Sequence, residues 1–204
     1  MSNLLQSTEE TYKGNAFVET YAGLSFRLET PVFRIEDLAH SLSMLCRFNG
    51  HSRHFYSVAE HSLLVAGIMD EFLGGNPLEG LLHDGTEAYL SDVPAPFKQL
   101  LPDWQKLDEA LELKLRAWAS LPLYKTEQCK EADWLALFLE AYELMPDRGA
   151  GYMDPHGLRK KALSMRERFS LRLQRWEPAV AELRFLQSFA SMSDIPRAPS
   201  EEAV

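Results

Sequence analysis

The chain has 204 residues, of which 46% are apolar and 11% aromatic, and its formal net charge is -9. This length and apolar content predict one globular domain with a substantial core and exclude a disordered chain. An acidic surface repels duplex phosphate, which argues against nucleic acid as a partner. A single small anion such as a nucleotide is still compatible, because a few local cations and a metal ion can bind it.

Several other classes of protein are disfavoured as well. No apolar run approaches the ~20 residues that a membrane helix needs, so we expect no membrane association. The segment Met1 to Lys13 is polar and acidic, unlike a signal peptide. Cys46 and Cys129 lie far apart in helix-like segments, and we interpret them as small buried side chains rather than a disulfide or a metal pair. These features predict a cytoplasmic protein.

The first predicted element is a short β-hairpin. Residues 17–21 and 24–28 alternate in polarity around Gly23, which is typical of two paired strands. After Pro31 the apolar residues recur at intervals of three and four, which predicts a helix that ends near Arg47. The polar and aromatic segment 48–56, with a turn signal at Asn49-Gly50, is predicted to be a loop.

Capping signals define the next helices. Ser57-Val58-Ala59-Glu60 is a capping box, and it predicts a helix that stops at Gly74-Gly75. Asn76 and Pro77 predict the cap and first position of a helix that continues to about Leu90. Further helices are predicted over about 103–120 and, after a cap at Thr126, to about 145.

The remaining segments complete an all-α interpretation. Three prolines exclude a regular helix over 91–102, and the segment 147–157 is predicted to be a loop. Two helical stretches split at Pro178 follow it. We therefore predict a single all-α domain over residues 1–192, with the short N-terminal hairpin, and a polar tail over 193–204.

Candidate metal ligands stand out because they interrupt apolar helices. The pair His83-Asp84 lies in a leucine-rich segment, where a buried carboxylate needs a partner such as a bound cation. His61 and Asp133 lie in two other apolar helices. Two imidazoles and two carboxylates suit a divalent ion such as Mn, Co, Fe, Ni or Zn. Each residue alone is more often structural; the joint pattern favours a metal centre.

Further polar residues predict the chemistry around this centre. Glu87 follows His83 by four residues, so it would share a helix face with it and serve in proton transfer. Asp92 follows the predicted helix end, where a loop could return it to the same cavity. Arg47 and Lys98 are candidate phosphate-binding cations. Together these groups predict attack of a metal-activated water on phosphorus.

The order His61, His83-Asp84, Asp133 resembles the HD-domain phosphohydrolase superfamily, which implies an HD-domain helical bundle. Segments 57–62, 81–88 and 92–98 are similar to the branch that contains the bacterial 5'-deoxynucleotidases. Segments 20–23 and 46–51 resemble small bacterial and phage HD proteins, of which the phage dATP triphosphohydrolases are similar in size and layout. The resemblance covers roughly residues 17–145. From the resemblance we expect the protein to lie in the bacterial cytoplasm, or in the cytoplasm of the host if a phage encodes it.

This resemblance implies a role for each matching residue. Phe48 stands where the deoxynucleotidases have a tryptophan that crowds the sugar, and the loop to His61 is about one residue shorter, so sugar and base selectivity stay open. His51 belongs to the same motif and is a candidate substrate contact. The implied metal ligands are His61, His83, Asp84 and Asp133, with Mg²⁺ as an additional candidate ion; the catalytic carboxylates are Glu87 and Asp92; the phosphate contacts are Arg47 and Lys98.

The leading interpretation is metal-dependent hydrolysis of deoxynucleoside 5'-phosphates, with a lean toward a dATP-type triphosphohydrolase on the phage-like layout. A 5'-deoxynucleotidase acting on monophosphates is the alternative, and Arg53, Lys98 and Lys106 are candidate extra cations for a triphosphate. A cyclic-nucleotide phosphodiesterase would need more histidines, and a non-catalytic nucleotide sensor would not need Glu87 and Asp92. The resemblance also implies a homo-oligomer, for which amphipathic helices after Gly157 offer a surface.

The remaining histidines and three aromatic residues are assigned no specific role in catalysis. His40, His54 and His156 are interpreted as structural or surface histidines. Three aromatic residues are candidates for a base pocket and equally for the core: Tyr89, Phe97 and Trp104.

Overall fold

A two-stranded antiparallel hairpin opens the described part of the chain, which is residues 17–193 in this computed structural model. Strand β1 (Val18–Glu19) pairs with β2 (Ser25–Phe26), with Val18 opposite Phe26 and Glu19 opposite Ser25. Gly23 adopts a positive φ of 75° in the connecting turn, where glycine costs least. The predicted hairpin is confirmed. The segment Met1 to Lys13 and the predicted tail beyond Ser193 lie outside the described residues.

Helices make up the rest of the described fold. A 3₁₀ turn (Arg47–Gly50) lies in the segment that was predicted to be a loop, and a π-helical turn (Met69–Leu73) extends the second helix. The predicted all-α class with a short hairpin is therefore confirmed. The helices are α1 (Ile35–Met44), α2 (Val58–Ile68), α3 (Pro77–Leu82), α4 (Glu87–Leu90), α5 (Ala95–Lys98), α6 (Pro102–Trp118), α7 (Glu127–Leu144), α8 (Arg159–Arg168) and α9 (Pro178–Met192).

Side-chain caps fix the helix starts that the sequence predicts. The Ser57 hydroxyl accepts from the Glu60 amide at 3.1 Å, and the Asn76 side chain accepts from the Leu78 amide at 3.0 Å. The Thr126 hydroxyl accepts from the Cys129 amide at 3.2 Å at the start of α7. Each cap satisfies an amide that has no partner within its helix.

The prediction of one continuous helix from Leu78 to about Leu90 is wrong, because the helix is interrupted in its middle. Helix α3 ends at Leu82, and α4 begins only at Glu87. Between them the amides of Gly85 and Glu87 bond three residues back, to Leu82 and Asp84, so the chain is wound more tightly than an α-helix. His83 and Asp84 therefore lie in a turn between two helices.

The expectation that residues 91–102 contain no helix is also wrong, because one helical turn lies within this segment. Helix α5 lies inside that segment, immediately after Pro94. Proline is tolerated in a first helical turn, because its missing N–H would have no partner there.

Helix α2 lies between two hydrophobic clusters. One cluster joins α1, α2, α3, α6 and α9 through buried residues such as Leu38, Leu81 and Phe185. The other joins α2, α7 and α8 through residues such as Val65 and Leu135. Because α2 is packed from both sides, a polar side chain on it has little freedom to move. Among residues 17–193, no helix is long and apolar enough to cross a membrane.

A close approach between α2 and α3 gives a prediction about stability. A Cβ atom at Gly80 would lie 2.9 Å from the Ala66 backbone, whereas one at Gly67, inside α2, would meet nothing within 4 Å. Gly80→Ala should lower the free energy of unfolding by about 1–3 kcal/mol through overpacking. Gly67→Ala should raise it by about 0.5–1 kcal/mol, because alanine loses less backbone entropy in a helix.

Urea denaturation of both variants checks this prediction. A Gly80→Ala protein as stable as the wild type would contradict the close packing described here.

Candidate metal centre

The four predicted ligands come together at one point. His61 lies on α2, His83 and Asp84 lie in the turn after α3, and Asp133 lies on α7. The Nε2 atoms of the two histidines are 3.2 Å apart. Asp133 Oδ1 lies 3.2 Å from His61 Nε2, and Asp84 Oδ2 lies 3.1 Å from His83 Nε2. Two helices and the turn after α3 thus present two nitrogens and two oxygens to a common centre.

Hydrogen bonds behind the imidazoles determine which ring nitrogen faces this centre. His61 Nδ1 donates to Glu140 Oε1 at 2.6 Å, and His83 Nδ1 donates to the Gly80 carbonyl at 2.7 Å. A carboxylate and a carbonyl can only accept, so the neutral imidazoles carry their protons on Nδ1. Both Nε2 lone pairs then point at each other and at two carboxylates, an arrangement that requires a cation between them.

The pKa values of the four side chains also indicate that the cluster favours a positive charge. Burial lowers the pKa of His61, but the surrounding carboxylates outweigh burial and hold it well above its ordinary value. The pKa of His83 is likewise raised against burial, chiefly by Asp84. Burial would raise the pKa values of Asp84 and Asp133, but the imidazoles hold both below the ordinary range. A proton or a metal ion can supply the positive charge that these groups demand.

The cluster opens to solvent on the Asp133 side. His61 is fully buried, whereas the Asp133 side chain is 45% exposed. A cleft of about 380 Å³ begins at His83 and Asp133. His156, which we interpreted as structural or surface, lies edge-on to Trp134 in its wall at 5.6 Å. The other lining residues are Lys125, Glu127, Cys129, Lys130, Glu131 and Leu158.

Glu87 and Asp92 lie within electrostatic reach of the cluster. Glu87 Oε1 accepts from Lys98 Nζ at 3.1 Å, while its buried Oε2 has no described partner. Burial first, and then the charges of Asp84 and Asp92, raise the pKa of Glu87 to about 8. Glu87 therefore carries a carboxyl oxygen that is free to bind a water or a substrate oxygen.

Asp92 reaches this region through an unusual backbone conformation. Ser91 has φ 71° and ψ 157°, a region that non-glycine residues rarely adopt and that costs of order 1–3 kcal/mol. The turn redirects the chain after α4. Burial raises the pKa of Asp92, Arg47 opposes that shift and Asp84 adds to it, so all three charges share one environment.

The two predicted phosphate cations border the cluster and already have anionic partners. Arg47 Nε donates to Glu140 Oε2 at 3.1 Å, and Arg47 Nη1 lies 3.8 Å from Asp84 Oδ2. The Arg47 guanidinium also lies over the Phe48 ring, 5.5 Å from its centroid. Lys98 pairs with Glu87 and lies 4.9 Å from the Trp104 ring centroid. Phe48 therefore lies against Arg47, and Lys98 lies against Glu87.

Other sequence candidates lie elsewhere. His51 is exposed, and no side chain within residues 17–193 bonds to its ring, so its role as a substrate contact stays a prediction. Arg53 donates to the Pro146 carbonyl at 2.8 Å, and Lys106 pairs with Asp103 on the surface. Tyr89 is stacked on Phe26 in the core, which supports the core alternative for that ring.

Two residues that the sequence did not single out belong to the site. Glu140, fully buried on α7, bonds to His61 and Arg47. Its spacing of seven residues from Asp133, two helical turns, places it on the same face and could have indicated it. Lys125 Nζ lies 3.7 Å from Asp84 Oδ1 and makes no hydrogen bond to a described residue. No periodic signal marks Lys125, because it lies in a loop.

A buried ion pair holds the loop that carries Lys125. Arg116 donates to Glu79 Oε1 at 2.6 Å and to the Tyr124 carbonyl at 3.0 Å. Glu79 also accepts from the Thr126 amide at 2.9 Å and from its hydroxyl at 2.7 Å. The residues on both sides of Lys125 are thus fixed, which holds Lys125 in the lining of the cleft.

The raised histidine pKa values give a prediction for metal binding. Imidazoles whose pKa lies above the ordinary 6.5 retain protons at neutral pH, and a metal ion must displace them. Metal affinity should therefore fall as the pH is lowered, and binding at pH 7 should release protons. Titration calorimetry with Mn²⁺ in two buffers of different ionisation enthalpy measures this release. Equal binding enthalpies in the two buffers would contradict the prediction.

Comparison with known proteins places the chain among relatives. It is 38% identical over 138 residues to the "Uncharacterized protein YfdR" of Escherichia coli (strain K12), a match that covers 66% of this chain and 76% of that protein. It is 35% identical over 158 residues to the "Uncharacterized protein RCAP_rcc00048" of Rhodobacter capsulatus, a match that covers 67% of this chain and 79% of that protein. No protein-family model matches the chain. At this identity and coverage, the chain belongs to the protein family that includes YfdR.

Proposed function

We propose that this protein is an HD-type metal-dependent phosphohydrolase that acts on deoxynucleoside 5'-phosphates. The observation that carries the proposal is the pair of histidine Nε2 atoms 3.2 Å apart, bordered by two carboxylates and adjoining a cleft. Such a set of donors fits a divalent cation such as Zn, Co, Mn, Ni or Fe. Around it stand the unpartnered oxygen of Glu87 and the cations that phosphate chemistry requires.

The protein residues divide the chemical work. His61, His83, Asp84 and Asp133 would hold the metal ion, which when bound supplies Lewis acidity and lowers the pKa of water. Glu87 orients the attacking water through its free Oε2 and accepts a proton there. Asp92, in the same environment, assists that proton movement. Burial of His61, His83 and Glu87 strengthens these interactions by excluding bulk water.

Three cations are available for the phosphate group. Arg47 lies beside Asp84, Lys98 pairs with Glu87, and Lys125 lies beside Asp84 in the lining of the cleft. Lys125 is the best candidate to bind a phosphate oxygen beyond the scissile bond, because its ammonium has no hydrogen-bonded partner within residues 17–193. This cation supports the lean toward a deoxynucleoside triphosphate as substrate.

A 5'-deoxynucleotidase acting on monophosphates is the second candidate. Glu127 and Glu131 line the same cleft, and their negative charges disfavour a long phosphate tail. A cyclic-nucleotide phosphodiesterase with two metal ions is less well supported. The His61, His83 and Asp133 group is the one potential metal cluster found within the described residues. A silent nucleotide sensor would leave the unpartnered Glu87 oxygen without a role.

A substrate survey with three variants tests the proposal. Metal-loaded protein is incubated with deoxy- and ribonucleoside mono-, di- and triphosphates, and products are separated by ion-exchange chromatography. We expect a deoxynucleoside triphosphate to yield deoxynucleoside and inorganic tripolyphosphate. Glu87→Gln should retain metal and lower kcat by about 10²–10⁴-fold, because it removes the proton acceptor. Asp84→Ala should lose the metal itself.

Glu109→Gln, which alters an exposed carboxylate on α6, is the matched control and should leave turnover unchanged. If the protein released phosphate from deoxynucleoside monophosphates alone, the triphosphohydrolase assignment would be wrong and the 5'-deoxynucleotidase assignment would take its place. Absence of turnover of every nucleotide, or full activity of Glu87→Gln, would overturn the mechanism.

A further inference from the structure

Glu140 joins the metal centre to the predicted phosphate-binding arginine. Its carboxylate is completely buried, and each oxygen bonds in a different direction. Oε1 accepts from His61 Nδ1 at 2.6 Å, and Oε2 accepts from Arg47 Nε at 3.1 Å. Burial would raise the pKa of Glu140, but Arg47 and His61 hold it below its ordinary value, so the group is an anion. One carboxylate thus serves two site residues at once.

At the His61 end, Glu140 determines which nitrogen is free. While Nδ1 donates to Glu140, the neutral imidazole presents a bare Nε2. Without that acceptor, the ring could carry its proton on Nε2 instead. That proton would point at His83 Nε2, only 3.2 Å away, and the two ligand atoms would hydrogen-bond to each other. Both would then be lost to a metal ion.

At the Arg47 end, Glu140 keeps a cation away from a metal ligand. Arg47 Nη1 already lies 3.8 Å from Asp84 Oδ2, just short of a close ion pair. The bond from Nε to Glu140 and the contact with the Phe48 ring hold the guanidinium at that distance. Without this bond to Glu140, Arg47 could move toward Asp84 and compete with the metal for its oxygen.

We propose that Glu140 is a positioning residue that keeps His61 Nε2 and Asp84 open for a metal ion and holds Arg47 ready for phosphate. The phosphate half of this inference rests on the proposed function; the metal half does not. A residue that merely stabilised the core would change the stability of the protein without changing the protonation of His61 or coupling metal affinity to Arg47.

The first test replaces one oxygen of the carboxylate. Glu140→Gln has one acceptor oxygen, yet both of its neighbours are donors, so it cannot satisfy His61 and Arg47 together. We expect the affinity for Mn²⁺, measured by calorimetry, to fall by about 10–100-fold. Glu143→Gln is the matched control: Glu143 lies one turn further along α7 and pairs with Arg166, away from the centre. Its Mn²⁺ affinity should equal that of the wild type.

A double variant separates positioning from simple stabilisation. In the Arg47→Met background the glutamine amide no longer meets the guanidinium, so its carbonyl can accept from His61 Nδ1. Glu140→Gln should therefore lower the Mn²⁺ affinity much less in the Arg47→Met background than in the wild-type background. Equal losses in the two backgrounds would overturn the coupling.

A measurement on the wild-type protein keeps the proposal testable even if Glu140→Gln does not fold. Long-range ¹⁵N–¹H correlation spectra of the protein without added metal, recorded at a pH high enough for the His61 ring to be neutral, report which nitrogen carries the single proton. A proton on Nδ1 supports the proposal, and a proton on Nε2 overturns it. A protein that passes these tests but hydrolyses no nucleotide would refute the proposed function and leave the metal-positioning role of Glu140 in place.

Discussion

Two imidazole nitrogens that point their lone pairs at each other are the constraint on which the rest of the site depends. Their separation of 3.2 Å is set from behind, by Glu140 and by the Gly80 carbonyl. Neither acceptor can move, since Glu140 is buried on α7 and Gly80 lies against the Ala66 backbone of α2. The fold therefore maintains an arrangement that is unfavourable unless positive charge lies between the rings.

The surroundings of this centre differ on its two sides. On one side Glu87, Asp92, Arg47 and Lys98 form a partly buried network of alternating charge. On the other side the half-exposed Asp133 opens to a cleft that Lys125 also lines. Under the proposed function this cleft would admit the substrate, and Glu87 would orient the attacking water.

Local signals in the sequence predicted much of this arrangement. The caps at Ser57, Asn76 and Thr126 are short-range interactions, and they mark helix starts that the structure contains. The ligand set was recognisable because buried histidines and aspartates in apolar helices need partners. The expected roles of Glu87 and Asp92 came from their spacing to His83 and from the resemblance, and the structure places both within electrostatic reach of the cluster.

Long-range packing accounts for what the sequence could not predict. The break after Leu82 depends on tight turns around Gly85, which packs against Leu115 of α6 some thirty residues away in the chain. Lys125 reaches the cluster because Arg116 and Glu79, far apart in sequence, clamp its loop. The partner of Glu140 lies 79 residues earlier, at His61. The contacts of Gly85 and Lys125 leave no periodic trace in a single sequence, whereas the two-turn spacing of Glu140 from Asp133 does.

The central claim is that a divalent cation binds between His61, His83, Asp84 and Asp133. Anomalous diffraction from crystals grown with Mn²⁺, recorded near the manganese absorption edge, tests it most directly. The account predicts one strong anomalous peak bonded to both Nε2 atoms and to an oxygen of each aspartate. An empty cluster in Mn²⁺-saturated crystals, or a peak bonded to other residues, would contradict it.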